Sequence, residues 1–145
     1  DAAEDTIPIE KEIAFLEDYI SLEKIRYGNT QLAVVFTKEL DNPSQGIAPL
    51  LLLPLVENAF KHGASQNHFD SFIHIQLLLK NSQLLFTIEN SCEEPALTNK
   101  AGNIGLTNTA RQLELMYKEQ QLATSKSNNI FRASVSVNLK SYGKI

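Results

Sequence analysis

Residues 73–88 carry the pattern that most limits the fold. Ile73, Ile75, Leu77 and Leu79 recur at every second position, Asn81-Ser82 interrupts, and Leu84, Phe86 and Ile88 resume the alternation. A period of two places one set of side chains on one face of a strand, so the stretch predicts a hairpin of two amphipathic strands. Ala133, Val135, Val137 and Leu139 repeat the pattern, with Arg132, Ser134, Ser136 and Asn138 on the other side. Such a sheet has one wet and one dry face. The dry face must be covered by helices, which predicts a two-layer α/β sandwich with a mixed, mostly antiparallel sheet and helices on one face.

The remaining segments supply the cover. Thr6 and Pro8 mark a helix start, and Ile9, Ile13, Leu16, Ile20 and Tyr27 follow at helical spacing. Phe15, Tyr19 and Leu22 form a second stripe, which predicts a helix covered on two faces and ended by Gly28-Asn29. Residues 31–38 read as a strand and 41–46 as a loop. Residues 47–63 read as a very apolar helix ended by Gly63 as a C-terminal cap, and 64–71 as a loop. Residues 89–103 read as a long loop of the kind that forms lids or binding sites. Residues 104–120 read as a helix with Leu106, Ala110, Leu113 and Tyr117 on one stripe. A short strand at 122–126 turns through Asn128-Asn129 into the last one.

Composition narrows the function classes. At 145 residues the chain fits one domain, and the net charge of −4, without a basic helix face, argues against nucleic acid as a partner. Cys92 is the single cysteine, which precludes an internal disulfide and suits a reducing compartment. No apolar run is long enough to cross a membrane, and no signal peptide opens the chain. Asp1 in place of a methionine suggests a piece of a longer protein.

Two stretches carry candidate chemistry. Leu51, Leu55, Asn58 and His62 lie at helical spacing, so the 47–63 helix brings polar groups onto an otherwise apolar face. An amide oxygen suits Mg²⁺, which takes hard oxygen ligands and keeps waters and substrate phosphates in its shell. Lys61, one turn on, could offset phosphate charge. The same residues also fit a core helix whose polar end reaches solvent. Residues 102–108 (GNIGLTN) place Gly102 and Gly105 before a helix, where backbone N–H groups could approach a phosphate. The two glycines equally fit a hinge and an ordinary turn.

Taken together, order and spacing resemble the ATP-binding domain of sensor histidine kinases, the Bergerat or GHKL fold shared with gyrase, heat-shock and MutL ATPases. More narrowly, the chain resembles LytS/YehU-like kinases that pair with LytTR-type response regulators. Residues 9–27, with Glu12, Tyr19, Glu23, Arg26 and Tyr27, resemble the helix preceding the ATP-binding core. Residues 49–63 resemble the N box, with 55–63 (LVENAFKHG) its most specific part. Residues 104–108, followed by Arg111, Leu113 and Tyr117, resemble the G2 box and its helix.

The resemblance implies two segments, a leading helix at 1–28 and an ATP-binding catalytic domain at 29–145. It implies ATP and Mg²⁺ as cofactors, with Asn58 on the metal and Lys61 and His62 near the phosphates. Gly102, Gly105 and Leu106 would shape the lid, and Asn108 would contact phosphate or hold the lid helix start. Glu57 is implied as a base or polar organiser. Arg111 reads as a solvated helix charge and Tyr117 as core. The family's G1 box carries an Asp that accepts from the adenine amine; here Asn90 stands at that position, without the following glycines. A neutral amide oxygen can still accept that bond, without charge assistance.

The family's phosphoacceptor histidine lies on a dimerisation helix, and His62, His68 and His74 have no such context. The resemblance therefore implies a catalytic half whose partners are the phosphoacceptor helix of a homodimeric parent and a response regulator. It places the chain on the cytoplasmic side of an inner-membrane-anchored bacterial protein. Two alternatives stand beside it. One is a non-catalytic interaction module of the same fold. The other is a stand-alone ATPase or serine kinase of that fold.

Overall fold

Every even-numbered residue from Leu84 to Asn90 is buried, as the alternation requires of a strand with one dry face. The computed structural model describes residues 5–28, 32–64, 71–92 and 100–143. Its elements are β1 (Ile7–Pro8), α1 (Ile9–Arg26), β2 (Leu32–Leu40), β3 (Gly46–Ile47), α2 (Leu53–Ala59), β4 (Ser71–Lys80), β5 (Gln83–Ser91), α3 (Lys100–Met116), β6 (Gln120–Ser127) and β7 (Ile130–Asn138). The main sheet has the order β2-β4-β5-β7-β6, with β2 parallel to β4 and every other pair antiparallel. This is the mixed, mostly antiparallel sandwich expected from the sequence. β1 and β3 form a separate two-stranded pair beside it.

Two hairpins fix the register. Asn81 and Ser82 both take positive φ (52° and 67°), as do Asn128 and Asn129 (54° and 63°). Two successive left-handed residues make the turn that matches the right-handed twist of the flanking strands. The turns bring Ile75 opposite Ile88, and Phe86 opposite Val135, all on the inner face.

Ile9, Ile13, Leu16 and Ile20 of α1, Leu55, Val56 and Ala59 of α2, and Leu106 and Leu113 of α3 are buried in one core with the inner face of the sheet. Each buried aliphatic side chain stabilises the fold by about 1.5–3 kcal/mol before conformational entropy is counted. The second stripe of α1 departs from expectation: Leu22 is 65% exposed and Phe15 36%. Of that stripe only Tyr19 packs inward, against the core, while Leu22 and Phe15 stay on the surface.

Three boundaries also differ. β5 runs on to Ser91, which places Glu89 on the outer face, where it pairs with Arg132 at 2.6 Å. α3 begins at Lys100, so of the loop expected over 89–103 the two ends are strand and helix, and 93–99 lie outside the described residues. α3 stops at Met116 because the chain must turn into the longer edge strand β6, and Tyr117 makes an isolated bridge with Tyr142.

Candidate functional site

The segment expected as one helix over 47–63 is built in three parts. Ile47 belongs to β3, Leu50 takes φ 59°, and α2 starts only at Leu53 with Pro54 in its first turn. A proline there removes an N–H that a helix leaves unpaired in any case. Leu52, the cap residue, has no side-chain acceptor for the other free N–H groups of that end. Glu12 of α1 supplies it. Its carboxylate accepts from the Leu50 N–H (2.8 Å) and the Leu52 N–H (3.0 Å), and the residue is fully buried. Burial pushes the Glu12 carboxyl above its ordinary range, while the backbone N–H groups of Leu50, Leu51 and Leu52 pull in the other direction.

The C-terminal half departs from a simple helix as well. After Ala59 the chain widens into a π-helical turn, Phe60–Ala64, and Gly63 falls inside that turn instead of after the end as a cap. Phe60 is buried and sits edge-on to Tyr19 (5.7 Å) and stacked with Tyr27 (6.5 Å) of the α1 end. Accommodating this ring against α1 accompanies the wider turn, a feature often found at functional sites. The Leu51–Leu55–Asn58–His62 stripe is therefore not continuous: Leu51 precedes the helix, and the turn intervenes between Asn58 and His62.

Asn58 is half-buried on α2, Glu57 and Lys61 are exposed, and His62 is half-buried. The Nε2 atom of His62 is enclosed and makes no hydrogen bond. Burial lowers the His62 pKa from its ordinary value, and the charges of Lys61 and Lys126 lower it further. Glu57 lies near enough to Tyr19 to help raise that hydroxyl to about 12, after burial and Glu23. Its carboxylate is thus felt on the α1 side of the helix.

Asn90 ends the inner row of β5. It is 1% exposed, and its amide N–H donates to the Ser91 carbonyl at 2.9 Å. Asn90 is paired with Ile73 near the start of β4, and the π-helical turn packs against β4 and β5. The π-helical turn after α2 therefore packs on the two strands that frame Asn90.

The residues expected around the lid divide. Gly102 and Gly105 lie in the first turns of α3, inside the helix instead of ahead of it. Leu106 is buried, and Asn108 is exposed on α3. Asn108 lines a groove of about 410 Å³ with Thr109, Gln112 and Met116 on one side and Pro49, Leu50, Leu51 and Pro54 on the other. Pro54 precedes Asn58 by one helical turn, so Asn108 faces the start of α2. Arg111 is exposed. Tyr117 is buried, with its hydroxyl accepting from the Ala48 N–H at 3.0 Å. His74 is on the outer face against Phe72 (4.7 Å), and His68 lies outside the described residues.

No group of three His, Cys, Asp or Glu side chains that could hold a metal occurs among the described residues. An all-protein cage is thus not on offer there. The half-buried Asn58 amide fits the other mode of Mg²⁺ binding, in which one or two protein oxygens join waters and substrate phosphates.

Sequence reasoning passed over the Glu12 clamp. The signal was there: position 12 falls on the apolar stripe, three residues after Ile9 and four before Leu16, where a carboxylate needs a partner.

No family model matches the chain. Over 84 residues it is 31% identical to an uncharacterized sensor-like histidine kinase of Staphylococcus epidermidis, a match covering 57% of this chain and 16% of that protein. Over 81 residues it is 30% identical to the sensor protein kinase HptS of Staphylococcus aureus, covering 55% and 15%. The aligned region is thus about a sixth of the length of these relatives. Among solved structures it resembles the catalytic domain of histidine kinase ThkA in a nucleotide-free form, with TM-score 0.65, 14% identity and coverage of 92% of this chain and 94% of that one. It also resembles the histidine kinase domain of the blue-light activated kinase from Erythrobacter litoralis, with TM-score 0.68, 14% identity and coverage of 95% and 70%. A further match, with TM-score 0.56 and 14% identity, covers 93% of this chain and 42% of ThkA in complex with the response regulator protein TrrA. The five-stranded sheet, with its helices on one face, therefore has the fold of histidine kinase catalytic domains.

Proposed function

We propose that this chain is the ATP-binding catalytic domain of a sensor histidine kinase, transferring the γ-phosphoryl group of ATP to a histidine outside these residues. The observation that carries the reading is the packing of the turn that bears Lys61 and His62, just after Asn58, on the two strands that frame buried Asn90, in the fold of such domains. Similarity to sensor kinases over more than half the chain supports it.

Phosphoryl transfer asks little covalent chemistry of the protein and much positioning and charge neutralisation. In this reading the Asn90 side-chain oxygen accepts from the adenine amine, since the amide N–H is already held by Ser91. Lys61 offsets phosphate charge, and His62 lies near the phosphates beside it. Asn58 holds Mg²⁺, which would neutralise charge developing on the transferred group. Glu57 acts as a polar organiser, and Gly102, Gly105, Leu106 and Asn108 belong to the segment that closes over the nucleotide. Residues 1–28 lead into a catalytic domain at 29–145, with α1 tied into its core by Glu12.

The finer assignment is to the LytS/YehU-like kinases. The whole protein would then be a homodimer anchored at the inner membrane, with the domain described here in the cytoplasm. Its phosphoacceptor helix would receive the phosphoryl group and pass it to a LytTR-type response regulator. Calorimetry with Mg·ATP on this chain and on Asn58→Ala tests the reading. The expected result is Mg²⁺-dependent binding that weakens sharply in the variant, and no self-phosphorylation by the chain alone. A chain that binds no ATP at millimolar concentration would instead be a non-catalytic interaction module of this fold.

A further inference from the structure

Strand register draws one more cation to the same end of the inner face. Asn90 of β5 pairs with Phe131 of β7, and Phe131 pairs with Lys126 of the edge strand β6. Directly opposed residues of antiparallel strands point to the same side, so all three share the inner face. The neighbouring rows agree: Leu122 pairs with the buried Val135, and Thr124 with the buried Ala133. Lys126 thus extends the Asn90 row, two strand spacings or about 10 Å from it. That span is comparable with the reach from a nucleotide's base to its phosphates.

A second observation links Lys126 to the turn after α2. Its charge is felt at the half-buried His62, next to Lys61. None of the ion pairs recorded among the described residues engages Lys126. Lys126 of the edge strand and the half-buried His62, whose enclosed ring nitrogen makes no hydrogen bond, thus lie within electrostatic reach of each other.

We infer that Lys126 is a nucleotide-binding residue, contacting the phosphate groups of a nucleotide whose base is held at Asn90. This rests on the nucleotide-site reading above. Lys126 is a positional addition from the edge strand, outside the stretches that carry the resemblance.

The test is Mg²⁺-supported binding of ATP, ADP, AMP and adenosine to the chain and to Lys126→Ala, by calorimetry at two salt concentrations. Lys126 is exposed on an edge strand, so the variant should keep its fold, which circular dichroism checks. The expected result is roughly tenfold weaker ATP binding, a smaller salt dependence, unchanged adenosine binding, and recovery in Lys126→Arg. Wild-type binding of ATP with no change in Lys126→Ala overturns the inference and leaves the nucleotide reading standing. Equal losses for ATP and adenosine also overturn it, because the lysine would then act on the base or the fold. Failure of the wild-type chain to bind ATP overturns both.

Discussion

The carboxylate of Glu12 accepts the Leu52 N–H at 3.0 Å from a residue forty positions earlier in the chain. Its other oxygen takes the Leu50 N–H at 2.8 Å, and together these bonds join α1 to the start of the helix that carries Asn58. Leu50 is held at φ 59°, a conformation costly for a side chain with a Cβ, so this bond stabilises local strain as well as a helix end. Glu12→Ala removes both acceptors and leaves buried N–H groups unpaired. The expected loss is about 2–4 kcal/mol of stability, taking about 1–3 kcal/mol for each donor left without a partner and some relaxation. Urea unfolding measures it.

The same residue gives a pH signature. Burial raises the folded-state pKa of Glu12 above its ordinary value of 4.5. The folded chain then holds this proton more tightly than the unfolded chain does. Stability contributed by Glu12 is therefore greatest at or below pH 4.5, falls as pH rises through the window up to the raised value, and is level above it. The unfolding free energy of wild type minus that of Glu12→Gln should fall with rising pH across that window. A difference that grows instead would mean that the backbone N–H bonds outweigh burial.

Tyr117 tests a contact that reaches across the core. Its hydroxyl accepts from Ala48 N–H at 3.0 Å, and burial raises its pKa to about 12, so it stays protonated through the neutral range. Tyr117→Phe keeps the ring and orphans the buried Ala48 donor, for an expected loss of about 1–3 kcal/mol in chemical unfolding. A loss below half a kcal/mol, on the order of a surface substitution, would show that water replaces the hydroxyl.

Phe60 links packing to the site. Truncation of a buried phenylalanine costs about 3–5 kcal/mol. Phe60→Leu is milder and keeps the fold testable while removing the ring contacts with Tyr19 and Tyr27. The expected result is a moderate loss of stability with a several-fold loss of ATP affinity, because Lys61 and His62 follow Phe60 in the same π-helical turn. Unchanged affinity in a destabilised variant would separate the turn from the site.

The strands were legible because a one-sided sheet writes itself as alternation, and Asn81-Ser82 and Asn128-Asn129 supply the left-handed turns it needs. Burial of α1 was only half legible: Ile9, Ile13, Leu16 and Ile20 are core, whereas the apolar Leu22 is not, since apolar residues are free to remain on surfaces. The break of the 47–63 segment was not legible, because a run of leucines has no local signal for where helix gives way to turn. It is set by Glu12 and Phe60 through contacts distant in sequence. Of the candidate site residues, Asn58, Leu106 and Asn108 lie on helices as the period predicted, whereas Asn90, read into a loop, lies on β5, and Gly102 and Gly105 lie inside α3. In the proposed site Lys126 joins the others only through register across three strands, which no local pattern encodes.

Asn90 separates base recognition from phosphate recognition. It is buried, its amide N–H is engaged by Ser91, and in the proposed site its oxygen faces the adenine amine. Asn90→Ala should therefore weaken ATP, ADP and adenosine alike, by roughly five- to tenfold for one neutral hydrogen bond. It should also narrow the preference for ATP over GTP, since a guanine carbonyl cannot donate to the same oxygen. Competition binding with the four ligands measures both effects. A loss for ATP that spares adenosine would move Asn90 from the base to the phosphates and reverse the order of the Asn90–Phe131–Lys126 row along the nucleotide.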